Sequence, residues 1–86
     1  MNDVKWNLLK NARLKKTRGV SFEGLLKSEP IKIKNHPTRE NQKIMLFKHK
    51  NYIWVVPFVV DAQGDLFLKT LFPSSKYTKI YKEGGL

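Results

Sequence analysis

The chain has no cysteine, so no disulfide staples it and no thiolate can hold zinc. It is short of acid as well: 7 Asp and Glu stand against 17 Lys and Arg, a formal charge of +10 at pH 7 over 86 residues. Those acids are scattered, with Asp61 and Asp65 alone flanking one turn. The two histidines, His36 and His49, lack the neighbouring ligands that zinc or a hard cation needs, so no metal or cofactor is expected. Glycine-rich phosphate cradles are absent, and no serine sits in a recognisable nucleophile setting. The longest apolar run, Tyr52–Val60, falls far short of the roughly 20 residues that span a bilayer. The opening stretch MNDVKWNLLKNARLKK has no apolar signal block. A single small cytoplasmic domain without membrane association is the expectation.

What is present is concentrated between Gln42 and Pro73. Three extended runs, Lys43–His49, Tyr52–Val60 and Leu66–Phe72, are separated by Lys50-Asn51 and by Asp61–Asp65, whose Gly64 suits a turn residue at positive φ. Short β-branched and aromatic runs divided by polar turns predict an antiparallel meander. Ile31–Asn35 opens on strict alternation and adds a fourth, half-exposed strand. Tyr52–Val60 is apolar at nearly every position, which predicts a central strand, yet Pro57 has no amide to give a ladder. A bulge or bend at Pro57 reconciles the two.

Two helices are expected before the sheet. The first spans Trp6–Thr17, with Asn7 able to cap its start, Trp6, Leu9 and Ala12 on a buried side, and Gly19 placed for a left-handed C-cap. Lys10, Arg13 and Lys16 gather charge into a stripe, for which a solvated helix face is the simpler account. The second helix, Ser21–Lys27, has Ser21 as N-cap, Glu23 in its first turn and Phe22, Leu25 and Leu26 as an apolar face. Gly24 occupies the place where a capping box would have Glu or Gln. Proline at 30 ends this helix through its effect on Glu29. The segment from Ser74 to Leu86 reads as a basic tail, with Tyr77 and Tyr81 as stacking candidates.

The charge selects a partner class: nucleic acid or an acidic protein. Cleaving RNA without metal takes a base for the 2′-hydroxyl, an acid for the leaving 5′-oxygen and positive charge for the phosphorane. His36, Arg39, Glu40 and Lys43 occupy one loop and the start of a strand. Lys69, Lys76 and Tyr77 lie at the far end of the meander, and an antiparallel sheet can bring such ends together. Each has a plainer account. His36 before Pro37 suits a surface loop, Lys69 can snorkel to solvent, and Tyr52 and Trp54 suit cross-strand packing.

Trp6-Asn7-x-x-Lys10 followed by Gly19-Val20-Ser21-Phe22-Glu23 resembles the N-terminal signature of BrnT-type toxins, RelE-like ribonucleases of bacterial toxin–antitoxin pairs. His36-Pro37, Asn41-Gln42-Lys43-Ile44, Val56-Pro57-Phe58 and Phe67-Leu68-Lys69-Thr70 are similar to a divergent branch of that family. Pro73-Ser74-Ser75-Lys76-Tyr77-Thr78 falls where the family usually has Ser-x-Arg-Lys-Ala-Thr. The family commonly has His where this chain has Arg18, and Arg where it has Ser75. The resemblance implies an α+β, RelE-like domain, with two helices against a twisted antiparallel sheet. It implies a cytoplasmic endoribonuclease that cuts mRNA, free or on the ribosome, and inhibits translation. It also implies a neutralising antitoxin of ribbon-helix-helix type, through which alone operator DNA would be contacted.

Taken together, the expectation is an N-terminal helical hairpin on a four-stranded antiparallel sheet that carries a metal-independent endoribonuclease site. His36 or Glu40 is the expected base. Arg18, Arg39 and Lys43 are expected on phosphate, with Lys69 and Lys79 as further RNA contacts, and Lys76 with Tyr77 near the scissile bond. The alternatives are a non-catalytic RNA- or ribosome-binding module, an inactive toxin homologue, and a partner for an acidic protein.

Overall fold

In the computed structural model, which describes residues 3–86, the chain runs through β1 (Val4–Trp6), α1 (Leu8–Arg18), α2 (Phe22–Leu25) and β2 (Lys32–Asn35). It continues through β3 (Lys43–His49), β4 (Tyr52–Val60), β5 (Leu66–Leu68), β6 (Phe72–Pro73) and α3 (Ser75–Lys82). The strands form one six-stranded sheet in the order β1-β5-β4-β3-β2, with β6 also paired to β4. All pairings are antiparallel except β1 with β5, so the sheet is mixed. An α+β fold is what the sequence predicts. The four-stranded antiparallel sheet is not: β1 is an added strand, and the expected strand Leu66–Phe72 breaks into β5 and β6.

Local chemistry explains the element ends. Asn7 caps α1 by accepting from the Lys10 amide at 2.9 Å, and Gly19 ends it with φ 72°. Ser21 caps α2 by accepting from the Gly24 amide. Lys50 and Asn51 both take positive φ, 52° and 61°, the backbone of a two-residue hairpin turn whose twist matches its strands. Gly64 takes φ 85° in the next turn.

Side chains alternate between the faces of a strand, and here both faces are covered. Met45, Phe47, Val56, Phe58 and Leu68 pack with Leu14 of α1, Val20, and Phe22 and Leu25 of α2. Ile44, Leu46, Ile53 and Val55 face the other way, against Tyr77 and Tyr81 of α3 and Leu86. The expected tail is therefore a helix that completes the core. Thr78, 5% exposed, fastens it: its hydroxyl donates to the Ser74 carbonyl at 2.6 Å and accepts from the Ile53 amide at 2.8 Å. Leu9 and Ala12 are exposed and Trp6 belongs to β1, so the buried side of α1 is Leu14, with Asn11 half-buried. Asn11 ties the helices together, accepting from the Phe22 amide and donating to Glu23.

Pro57 sits in the central strand without breaking it. The β3–β4 register is unbroken from Lys43 opposite Phe58 to His49 opposite Tyr52, so no bulge lies between those strands. The Pro57 carbonyl accepts from Lys69, which shows that residue 57 turns its backbone away from β3. On that side the register slips: Phe58 faces Leu68, but Val55 faces Phe72, leaving Thr70 and Leu71 both opposite Val56. The extra residue lies in the strand beside Pro57, a β-bulge that separates β5 from β6.

Candidate functional site

A cleft of about 720 Å³ opens beside that bulge. Asn7, Leu9, Lys10 and Arg13 of the α1 segment line one part of it. His36, Arg39 and Gln42 enter from the β2–β3 loop, and Phe67, Lys69, Thr70 and Phe72 come from β5, the bulge and β6, with Pro57 beside them. Four of these side chains are cationic and none is a carboxylate. Within a concave wall of low dielectric, charge of one sign focuses the field on an incoming anion. Asn7 is the N-cap of α1, whose first turn holds no acid, so the positive end of the helix dipole adds to the side-chain charge. Phe67 and Phe72 are each 37% exposed and line the cleft together with the cations. Lys69 Nζ lies 5.6 Å from the Phe67 ring centroid, a cation–π contact that holds the ammonium over the ring.

The β2–β3 loop is closed on itself. The His36 amide donates to the Gln42 carbonyl at 3.0 Å, and the Gln42 amide to the Arg39 carbonyl at 3.2 Å. His36 Nδ1 accepts from the amides of both Thr38 and Arg39, at 3.1 Å each. Two donors on Nδ1 assign the hydrogen of the neutral ring to Nε2. In that tautomer the ring donates through Nε2, whereas the base role expected of His36 requires a lone pair there.

The sequence-predicted residues divide into three places. His36, Arg39 and Lys69 come together in the cleft. Lys43 opens β3 at an exposed position next to Gln42, and Glu40 is exposed in the adjoining turn; neither lines the cleft. Lys76, Tyr77 and Lys79 lie on α3, no residue of which lines the cleft. Tyr77 is half-buried against the Ile44–Val55 cluster, with Lys34 and Lys76 over its ring at 5.2 and 5.8 Å, and Tyr81 packs there too with Lys48 over it. The two tyrosines are half-buried against this face rather than free stacking platforms. Arg18 also stands outside the cleft lining, its guanidinium donating to the Leu71 carbonyl.

No family model, curated protein or solved structure matches the chain. Geometry therefore carries the functional reading. Among the described residues no group of three or more His, Asp or Glu could hold a metal ion, and no helix is long and apolar enough to cross a membrane.

Sequence reasoning left Leu9, Phe67, Thr70 and Phe72 out of the site. The one signal that touched it was the stripe of Lys10, Arg13 and Lys16: all three are exposed, as on a solvated helix face, and Lys10 and Arg13 also line the cleft. Phe67 and Phe72 fall in one continuous expected strand, Leu66–Phe72, because a bulge between them cannot be seen in the run of residues.

Proposed function

We propose that the chain is the toxin component of a bacterial toxin–antitoxin pair, a RelE-like and BrnT-like endoribonuclease that binds single-stranded mRNA in the basic cleft and cuts it without metal. The observation that carries the reading is the cleft itself, where Lys10, Arg13, Arg39 and Lys69 meet two exposed phenylalanine rings with no carboxylate among the lining side chains. Cations bind the phosphate backbone, and ring faces take unpaired bases, which a duplex would keep stacked inside. The two-helix insertion laid on one face of the sheet is in keeping with the fold that the family resemblance implies.

In this reading the 2′-hydroxyl gives its proton to water as its oxygen attacks the adjacent phosphorus, and the 5′-oxygen leaves and takes a proton from water, giving a 2′,3′-cyclic phosphate and a 5′-hydroxyl. Arg39, Arg13 and Lys69 stabilise the phosphorane, and His36 donates a hydrogen bond through Nε2 to a phosphate oxygen. The partner is an antitoxin of ribbon-helix-helix type that alone contacts operator DNA, and the site of action is the cytoplasm.

One observation favours a second reading. With no carboxylate in the cleft and the His36 Nδ1 lone pair taken by loop amides, the site is better equipped to hold a phosphodiester than to deprotonate a hydroxyl. A non-catalytic RNA- or ribosome-binding module is the alternative on that ground. Induced expression separates the two. Growth arrest with loss of full-length mRNA, abolished by replacing Arg39 and Lys69 with alanine, supports the toxin. Arrest with intact mRNA supports the binding module, and unchanged arrest in the double variant sinks the assignment to this cleft.

A further inference from the structure

We infer that Arg18 is a positioning residue of the cleft: its guanidinium pins the Leu71 carbonyl at the β-bulge and so fixes Lys69, Thr70 and Phe72 as one wall. The inference rests on the cleft being the RNA-binding site proposed above.

A bulge breaks the ladder and leaves backbone groups without their cross-strand partners, and a buried carbonyl left that way is costly. On one side of the bulge the Lys69 amide donates to the Pro57 carbonyl at 2.8 Å; on the other, Phe72 and Pro73 pair with Val55 and Trp54, followed by the Ser74 amide on the Ile53 carbonyl at 2.8 Å. Between them Leu71 is 0% exposed as a whole residue, and its carbonyl accepts from Arg18 Nη1. The donor comes from 53 residues earlier in the chain. Arg18 is the last residue of α1, next to Gly19, whose amide closes the helix on the Lys15 carbonyl. The guanidinium is therefore anchored to the C-terminal end of the same helix whose Lys10 and Arg13 line the cleft. One hydrogen bond spans from the helix to the bulge, and loss of it frees a segment that no other described side-chain bond holds between Lys69 and Phe72. Arg18 does not line the cleft, which separates it from the cations that would meet phosphate.

Hydrogen exchange of the free protein and RNA binding test the two layers separately. Arg18→Met keeps the aliphatic stem and removes the donor. The Lys69 and Ser74 amides are expected to exchange about tenfold faster or more. Affinity for a fluorescein-labelled single-stranded oligouridylate is expected to fall roughly tenfold, with the slope of log K against log salt as in the wild type. Arg39→Ala, the reference for a phosphate contact, lowers that slope by about one. A slope lowered by about one in Arg18→Met, or unchanged exchange at Lys69 and Ser74, overturns the positioning role. Wild-type protein without salt-dependent binding, alongside faster exchange in Arg18→Met, leaves the pinned bulge standing and removes the RNA reading. If Arg18→Met does not fold, Arg18→Gln, a shorter and neutral donor, is read by the same measurements with the same expected directions.

Discussion

The Lys69 amide donates to the Pro57 carbonyl at 2.8 Å, joining a cleft cation to the proline of the central strand. That bond fixes which way residue 57 faces: its missing amide is turned toward the bulge rather than toward β3, whose ladder is unbroken. Pro57→Val is therefore expected to cost no more than about 1 kcal/mol, since no ladder bond to β3 is at stake and the proline's effect lies mainly in the unfolded chain. Urea unfolding checks it. A loss several times larger would mean that the proline holds the bend itself.

Thr78 is where α3 is fastened to β4. Thr78→Val keeps the shape but leaves the buried Ile53 amide without an acceptor, at an expected cost of about 1–3 kcal/mol. Chemical denaturation measures this, and a change within error would mean that α3 docks through its tyrosines alone.

β1 is clasped to the start of β5 by charge. The Asp3 amide donates to Asp65 at 3.0 Å and Lys5 Nζ lies 3.1 Å from the same carboxylate. The Asp3 amide first, and Lys5 second, hold Asp65 below its ordinary 3.8, while the hydrogen bond and charge of Asp65 raise Lys5 above 10.5. A carboxyl lowered by folding stabilises above its unfolded value and loses that contribution as pH falls through the folded one. A lysine raised by folding loses its contribution as pH rises past 10.5. Asp65→Asn should thus lower Tm modestly at neutral pH, and the gap from wild type should close as pH drops well below 3.8. A gap of constant size down to that acid range would exclude the clasp as its origin.

How much of this was legible in the sequence follows the range of the interactions. Asn7, Gly19 and Ser21 are caps, decided within four residues, and all three stand where local chemistry puts them. β3 and β4 have their expected bounds because dense apolar runs ended by Lys50-Asn51 leave little choice. β1 was hidden, being three residues whose pairing is with Leu66–Leu68 far along the chain. α3 was hidden because Ser75–Lys82 is basic, and its tyrosines become an apolar side only once the Ile44–Val55 cluster exists to receive them. A third of the expected site residues come together, since His36, Arg39 and Lys69 of the nine line the cleft. Lys76 and Tyr77 do not join them, because the helix that carries them covers the Ile44–Val55 side of the sheet.

The cleft and α3 differ in what their lysines do. Lys69→Ala is expected to weaken binding of single-stranded RNA at all sequences and to lower the salt slope by about one, while Lys79→Ala does neither to a comparable extent. Fluorescence anisotropy over a salt series makes the comparison. Equal losses from both would indicate a diffuse basic surface instead of a cleft.

Phe72 supplies a ring face at the cleft wall. Phe72→Leu keeps apolar bulk and loses the ring, with an expected loss of about 1–3 kcal/mol in RNA affinity and no change in salt slope. The same titration reads it, and an unchanged affinity would remove stacking from the account.

The most direct measurement is incubation of end-labelled single-stranded RNA with wild-type protein and with an Arg39→Ala/Lys69→Ala double variant in EDTA, followed by analysis of the product ends. Fragments ending in 2′,3′-cyclic phosphate are expected from the wild type and none from the variant. RNA left whole by the wild type, whether bound or not, or cut equally well by the variant, would contradict the endoribonuclease reading.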